Sequence, residues 1–321
     1  MLLAALTGPA VPASAQTPAL KQIAQRVELY PIPTLTISDQ QFLTGDIGGT
    51  SVAVSGEFRI AQGQGKLPVV LLMHGSGGVG PNIEPWTQRL NAMGISTFVI
   101  DGFTGRGLVS TNTDQARLGR LNFIVDIYRA LDILAKHPRV DTERIALMGF
   151  SRGGQAALYA SLNRFHKLWN RSGVAFAVYI PFYPDCSTSY ISDTEVADVP
   201  IRIFHGTPDD YNPVASCKAY AARLREAKRD IVVTEYPNAA HAFDTPLVSG
   251  PVVSKGSQTV RACQIHESEP GKLINAATSA PFSYKDDCVQ LDPHVGGNAE
   301  AREAAYLAVT ALLRERFQLS Q

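Results

Sequence analysis

Residues Gly149-Phe150-Ser151-Arg152-Gly153 spell G-x-S-x-G directly after the strand-like run Arg144 to Met148 and before a helical stretch from Gln155 to Leu162. A serine at such a junction exposes its hydroxyl only by adopting a strained backbone, and the flanking glycines remove side chains that would clash in so tight a turn. A hydroxyl there is a candidate nucleophile, though serine is also a favoured helix N-cap. Serine attacks a carbonyl only when a base takes its proton, so a histidine and an orienting carboxylate are needed downstream.

Two further junctions offer them. The apolar strand Pro200 to Phe204 runs into His205-Gly206-Thr207-Pro208-Asp209-Asp210-Tyr211-Asn212-Pro213, where Asp209 and Asp210 compete for one role. A carboxylate there sits at the carboxyl end of a strand, where parallel sheets gather their catalytic groups. The strand Ile231 to Tyr236 then leads to Pro237-Asn238-Ala239-Ala240-His241-Ala242-Phe243-Asp244. His241 is the candidate base, with a structural histidine as the plainer alternative; the other six histidines sit before the acid, at helix ends or in irregular sequence. The chain order Ser, Asp, His is that of α/β-hydrolases and differs from those of chymotrypsin and subtilisin.

Charge developing on the substrate carbonyl needs preorganised donors, worth about 3–4 kcal/mol each. The backbone N–H of Arg152 is one candidate. The other comes from His74-Gly75-Ser76-Gly77-Gly78, the loop after the strand Val69 to Met73, with Gly75 and Ser76 both eligible. Arg152 and Arg106 are candidates to bind a substrate carboxylate bidentately. Trp86, with Phe182 and Tyr183, is a candidate lining for an apolar acyl pocket.

These segments resemble the dienelactone hydrolase family of α/β-hydrolases, from about Phe42 to Phe317. The resemblance is carried by the His74–Gly78 loop, Asp101-Gly102-Phe103-Thr104-Gly105-Arg106-Gly107, Gly149–Gly154, Gly206–Pro213 and His241–Asp244. In that family the acid lies three residues after a glycine and four before a proline, which selects Asp209. The namesake enzymes carry cysteine as nucleophile; Ser151 in its place favours a serine esterase over a dienelactone substrate.

The elements that must position these residues read as an α/β fold: a mostly parallel sheet of about eight strands with helices on both faces. Ser51 to Ile60 is an early antiparallel strand. Val69–Met73, the helix Ile83–Met93 and Ile95–Ile100 form a βαβ unit. Leu121, Ile124, Val125, Tyr128, Leu131 and Leu134 repeat at helical spacing, and Ala299 to Phe317 is a final amphipathic helix. A chain of 321 residues with 45% hydrophobic content suits one large domain, taken as residues 41–321, behind a lead segment 16–40. Residues 245–291, rich in Ser, Pro and Gly, form an irregular insertion that reads equally as a wall or lid over the site and as a surface elaboration.

Formal net charge is +0, which gives no sign of nucleic-acid binding, and no stretch past the N-terminus is apolar enough to span a membrane. Met1 to Val11 is apolar and Ala13-Ser14-Ala15 matches a signal-peptidase site, but no Lys or Arg precedes Lys21. Residues 1–15 are therefore read as a truncated signal peptide, with a disordered Ala/Pro-rich tail as the alternative. Cys186, Cys217, Cys263 and Cys288 lack metal-site spacing and allow three disulfide pairings. If the strands before Cys186 and Cys217 are neighbours, those two bridge, and Cys263 with Cys288 staples the insertion. Bridges of these loop lengths are worth about 3.5 kcal/mol each and belong to oxidising compartments.

The expectation is an exported serine hydrolase, monomer or small homo-oligomer, acting without cofactor or metal on a small ester or lactone. A peptidase resembling the catalytic domain of prolyl oligopeptidases is one alternative; a non-catalytic binding protein of the same fold is the other.

Overall fold

Alternation of apolar side chains to two buried faces builds the central sheet. In the computed structural model, which describes residues 21–247 and 249–319, Val69, Leu71 and Met73 pack into one core layer while Val70 and Leu72 pack into another. A strand buried on both faces reads as a continuous hydrophobic run, which is why these strands stand out in the sequence.

Eight strands form the sheet: β1 Arg26–Thr36, β2 Thr50–Ile60, β3 Leu67–Met73, β4 Ser96–Asp101, β5 Val140–Phe150, β6 Val178–Phe182, β7 Ile201–Gly206 and β8 Ile231–Tyr236. Their order is β1-β2-β4-β3-β5-β6-β7-β8, with β2 antiparallel to both neighbours and every pairing from β4 onward parallel. The helices are α1 Asp39–Thr44, α2 Ile83–Ala92, α3 Asn122–Leu134, α4 Arg152–Tyr159, α5 Asn163–Trp169, α6 Val214–Glu226 and α7 Ala299–Arg316. Helices α3 to α6 contribute to one core layer, and α2 and α7 to the other. This is the α/β-hydrolase architecture expected from the sequence.

Two segments differ from expectation. Strand β1 falls inside the stretch set apart as a lead segment, yet it pairs with β2 along its whole length. Residues 245–291 are less irregular than their composition implies. Val252–Val253 pairs with His294–Val295, Gln258–Thr259 with Gln290–Leu291, and Ile265–Glu269 with Lys272–Asn275 and Thr188–Ser189. Strands β6 and β7 are neighbours, and Cys186 is bonded to Cys217 and Cys263 to Cys288. Residues 1–15 lie outside the described residues. No helix among the described residues is long and apolar enough to cross a membrane.

Candidate active site

Ser151 stands between β5 and α4 with φ 54° and ψ −114°, a backbone that L-residues rarely adopt. The turn closes so tightly that a Cβ on Gly149 would lie 2.0 Å from the Gly153 carbonyl oxygen, and one on Gly153 would lie 2.2 Å from that of Met73. Both glycines of the motif are thus sterically required. The Ser151 carbonyl accepts the first helical bond, from the Gln155 amide at 2.7 Å, and its own amide donates to Phe182 O at 3.0 Å.

The loops after β7 and β8 bring Asp209 and His241 to this serine. His241 Nε2 lies 2.8 Å from Ser151 Oγ, and its Nδ1 lies 2.8 Å from Asp209 Oδ2. The other carboxylate oxygen, Oδ1, accepts the amides of Tyr211 and Asn212 at 2.9 Å each. A carboxylate bonded this way favours the tautomer with the proton on Nδ1, which leaves Nε2 to accept from the serine. The imidazole is held between two aromatic rings, Tyr211 stacked at 4.6 Å and Tyr183 edge-on at 4.7 Å. Asp210, the competing carboxylate, turns outward to Arg261 and His294.

The loop after β3 closes the opposite side. His74 is buried, and its Nε2 accepts the Gly102 amide at 3.0 Å. Its Nδ1 therefore carries the proton and donates to Gly75 O at 2.7 Å, an oxygen that also accepts from the Gly78 amide. Because the N–H of a trans peptide points opposite its C=O, fixing the Gly75 carbonyl fixes the direction of the Ser76 amide. Gly75 packs against the nucleophile: a Cβ there would lie 3.2 Å from Ser151 Cβ.

Two spaces open at Ser151. The larger, a cleft of about 250 Å³, passes His241 and is bordered by Gly78, Asn112, Tyr183, Ala242 and Val295. The smaller, about 30 Å³, lies between Ser151 and the residues Arg120, Gln155, Asn212, Val260 and Tyr284. The segment 245–291 supplies Gln258, Thr259, Val260 and Tyr284 to the small chamber and Thr245 and Ser254 to the cleft, so it forms part of the wall of both.

Three sequence-based expectations need correction. Arg106 is not free to hold a substrate: its guanidinium is buried in a two-pronged pair with Asp126, at 2.7 and 2.8 Å, and also donates to Gly102 O and Leu35 O. Trp86 does not line an acyl pocket; its ring is buried against Phe182 and Tyr306, and its N–H donates to Asp244 Oδ2 at 2.8 Å. Phe182 is likewise core, whereas Tyr183 does border the cleft. The Arg152 side chain borders the small chamber, but its fork is already taken by Leu118 O, Gln115 O and Gln115 Oε1 at 2.9–3.0 Å, so it offers no free bidentate face.

Sequence reasoning missed Arg120, Gln155, Tyr211 and Asp244. The carboxylate of Asp244 is buried, accepting from Asn82, Trp86 and Tyr183, and burial pushes its pKa upward. Gln155 had a legible signal, standing one helical turn after Ser151 on the same face. Tyr211 and Asp244 stand in the loops that carry Asp209 and His241, whereas Arg120 comes from a separate segment and had no signal.

Residues 56–265 match the dienelactone hydrolase family, and with the Ser151 junction and this sheet order the assignment is made. The chain belongs to the dienelactone hydrolase family. It is therefore a member of a hydrolase family within the α/β-hydrolase superfamily. A dienelactone hydrolase-like promiscuous phosphotriesterase from metagenomic libraries shares the fold at a TM-score of 0.55 and 18% identity, over 90% of this chain and 98% of that one. A dienelactone hydrolase of Klebsiella pneumoniae subsp. pneumoniae MGH 78578, described as putative in its structure, aligns at a TM-score of 0.50 and 16% identity, over 69% of this chain and 90% of its own. Acyl-protein thioesterase 1 homolog 2 of Dictyostelium discoideum is 37% identical over 79 residues, a match spanning 25% of this chain and 32% of that protein.

Proposed function

We propose that this family member is an exported serine hydrolase that cleaves carboxylic esters, lactones included, through Ser151, His241 and Asp209. The observation that carries the reading is the unbroken run of short contacts from Asp209 through His241 to Ser151 Oγ, each 2.8 Å. His241 Nε2 would take the hydroxyl proton as Ser151 Oγ bonds to the carbonyl carbon. The oxyanion so formed would be met by the amides of Arg152, at the open N-terminus of α4, and Ser76, whose direction His74 fixes through Gly75 O. Collapse expels the alcohol, which leaves with the proton from His241. Water, deprotonated by the same imidazole, then adds to the acyl-enzyme, and the acid and free serine are regenerated. Asp209 keeps the imidazole oriented and stabilises its charged form.

Export is supported by two disulfides, which persist in oxidising compartments. The test of the function is turnover of a panel of aryl and alkyl esters by the purified protein and by Ser151→Ala. Hydrolysis by the native chain that vanishes in the variant is expected. Equal rates for both would assign the activity elsewhere.

A further inference from the structure

The chemistry of ester cleavage orders the two spaces at Ser151. As the bond between carbonyl carbon and alcohol oxygen breaks, that oxygen takes its proton from His241 Nε2 while the acyl carbon stays on Ser151 Oγ. The alcohol therefore leaves on the side that His241 borders, which is the larger cleft. His241 does not border the small chamber, and that space is left to the acyl chain.

Size and lining then separate the two halves. A water-sized group needs about 10–15 Å³ of such space, so the chamber, at about 30 Å³, takes two or three at most beyond the carbonyl. The cleft offers about 250 Å³. Gly78, Gly80, Pro81, Tyr183, Ala242 and Val295 give it an apolar wall, and no Lys or Arg stands among the described residues that form it. Asp244, the carboxylate on its border, is already bonded by Asn82, Trp86 and Tyr183 and would repel an incoming anion. Aliphatic side chains continue this wall toward solvent. Val252 pairs with Val295 in an antiparallel ladder, so both side chains lie on one face, and Val252 is 46% exposed. Val79, 49% exposed, stands between Gly78 and Gly80. Single exposed valines are ordinary, but these two extend one apolar cleft and lengthen the surface an alcohol chain can cover.

We infer that the substrates pair a short acid, up to about four carbons, with a longer, uncharged, apolar alcohol that lies along Val295 and reaches Val252. This rests on Ser151 being the nucleophile, and it makes Val295 a specificity-determining residue.

Hexyl acetate and ethyl hexanoate test it, since they are isomers that differ only in which side of the ester carries the long chain. Each kcat/KM, from pH-stat titration of the released acid, is divided by the hydroxide rate constant of the same ester to remove intrinsic reactivity. A corrected preference of about tenfold or more for hexyl acetate is expected, because each methylene buried in the cleft is worth about fourfold. A carboxylate on the alcohol, as in 6-acetoxyhexanoate, should place turnover about tenfold or more below that of hexyl acetate. Val295→Thr keeps the side chain's shape and should cut the ratio of hexyl to ethyl acetate turnover by about threefold or more. Equal or faster turnover of ethyl hexanoate, full turnover of 6-acetoxyhexanoate, or a hexyl-to-ethyl ratio that Val295→Thr leaves unchanged would each overturn the inference and leave the hydrolase intact. No turnover of any ester would remove the hydrolase reading and this inference with it.

Discussion

The two flanks of Ser151 each hold a buried charge without a counter-ion among the described residues, and the charges are opposite. On the chamber side Arg152 is surrounded by carbonyls, with no carboxylate at ion-pair distance among the described residues, and burial pulls its pKa below the usual guanidinium value. On the cleft side Asp244 is held by Asn82, Trp86 and Tyr183, with no cation at ion-pair distance among the described residues. A short way off, Arg106 and Asp126 show the alternative, a pair whose charges cancel in a closed fork. Charge in a low-dielectric interior is expensive unless paired, so Arg152 and Asp244 depend on the acceptors and donors already bonded to them. Arg106 and Arg152 look alike in the sequence, and only their surroundings separate a cancelled ion pair from a charge held by protein oxygens beside the chamber.

The largest expected effect removes the axis between the flanks. Asp209→Asn should lower kcat by about 10⁴-fold through loss of the correct imidazole tautomer, whereas Asp210→Asn, at the half-buried neighbour that faces away from His241, should stay within about twofold. Steady-state kinetics on one ester decides this, and equal losses would show that both carboxylates serve the histidine.

Breaking the cancelled pair should hurt the fold and spare the chemistry. Arg106→Met leaves Asp126 buried with the Thr34 hydroxyl but without its counter-ion, an arrangement that costs about 3–5 kcal/mol. Denaturant unfolding reads that loss, and turnover per folded molecule should be unchanged. A stable variant with altered acyl preference would return Arg106 to the site.

Opening the chamber wall is expected to cost slightly less. The Cys263–Cys288 bridge closes 25 residues of chain around the segment that supplies Tyr284, and chain entropy values such a loop at about 3.5 kcal/mol. The double Ser variant should melt earlier and accept longer acyl chains in the same ester series. Unaltered chain-length selectivity would mean the segment does not shape the chamber.

The smallest effect concerns the cleft charge. Burial raises the Asp244 carboxyl above its ordinary 3.8 in the folded chain. Its contribution to stability is therefore complete below that ordinary value and is lost as the pH rises through the folded one. Asp244→Asn should remove this loss, so the variant gains on the native protein between acid and neutral pH. Thermal melts across that range check the sign; a gap that widens in the native protein's favour contradicts it.

Much of this site is legible from sequence because its three members stand at strand ends that continuous apolar runs announce. The G-x-S-x-G glycines are dictated by contacts within a few residues. Strand β1 is hidden by Pro31 and Pro33, residues tolerated only because it lies at the sheet edge. The two-residue strands of 245–291 are too short to show a period. The partners that decide Arg106 and Asp244 lie 20 residues (Asp126) and 158 residues (Trp86) away, so no local pattern reports them.

The most direct measurement is mass spectrometry of the folded protein after exposure to a fluorophosphonate, beside Ser151→Ala. An activated serine predicts one adduct, mapped to Ser151 and missing from the variant. No adduct on the native chain, or one that persists in the variant, would contradict an assembled Ser151–His241–Asp209 relay.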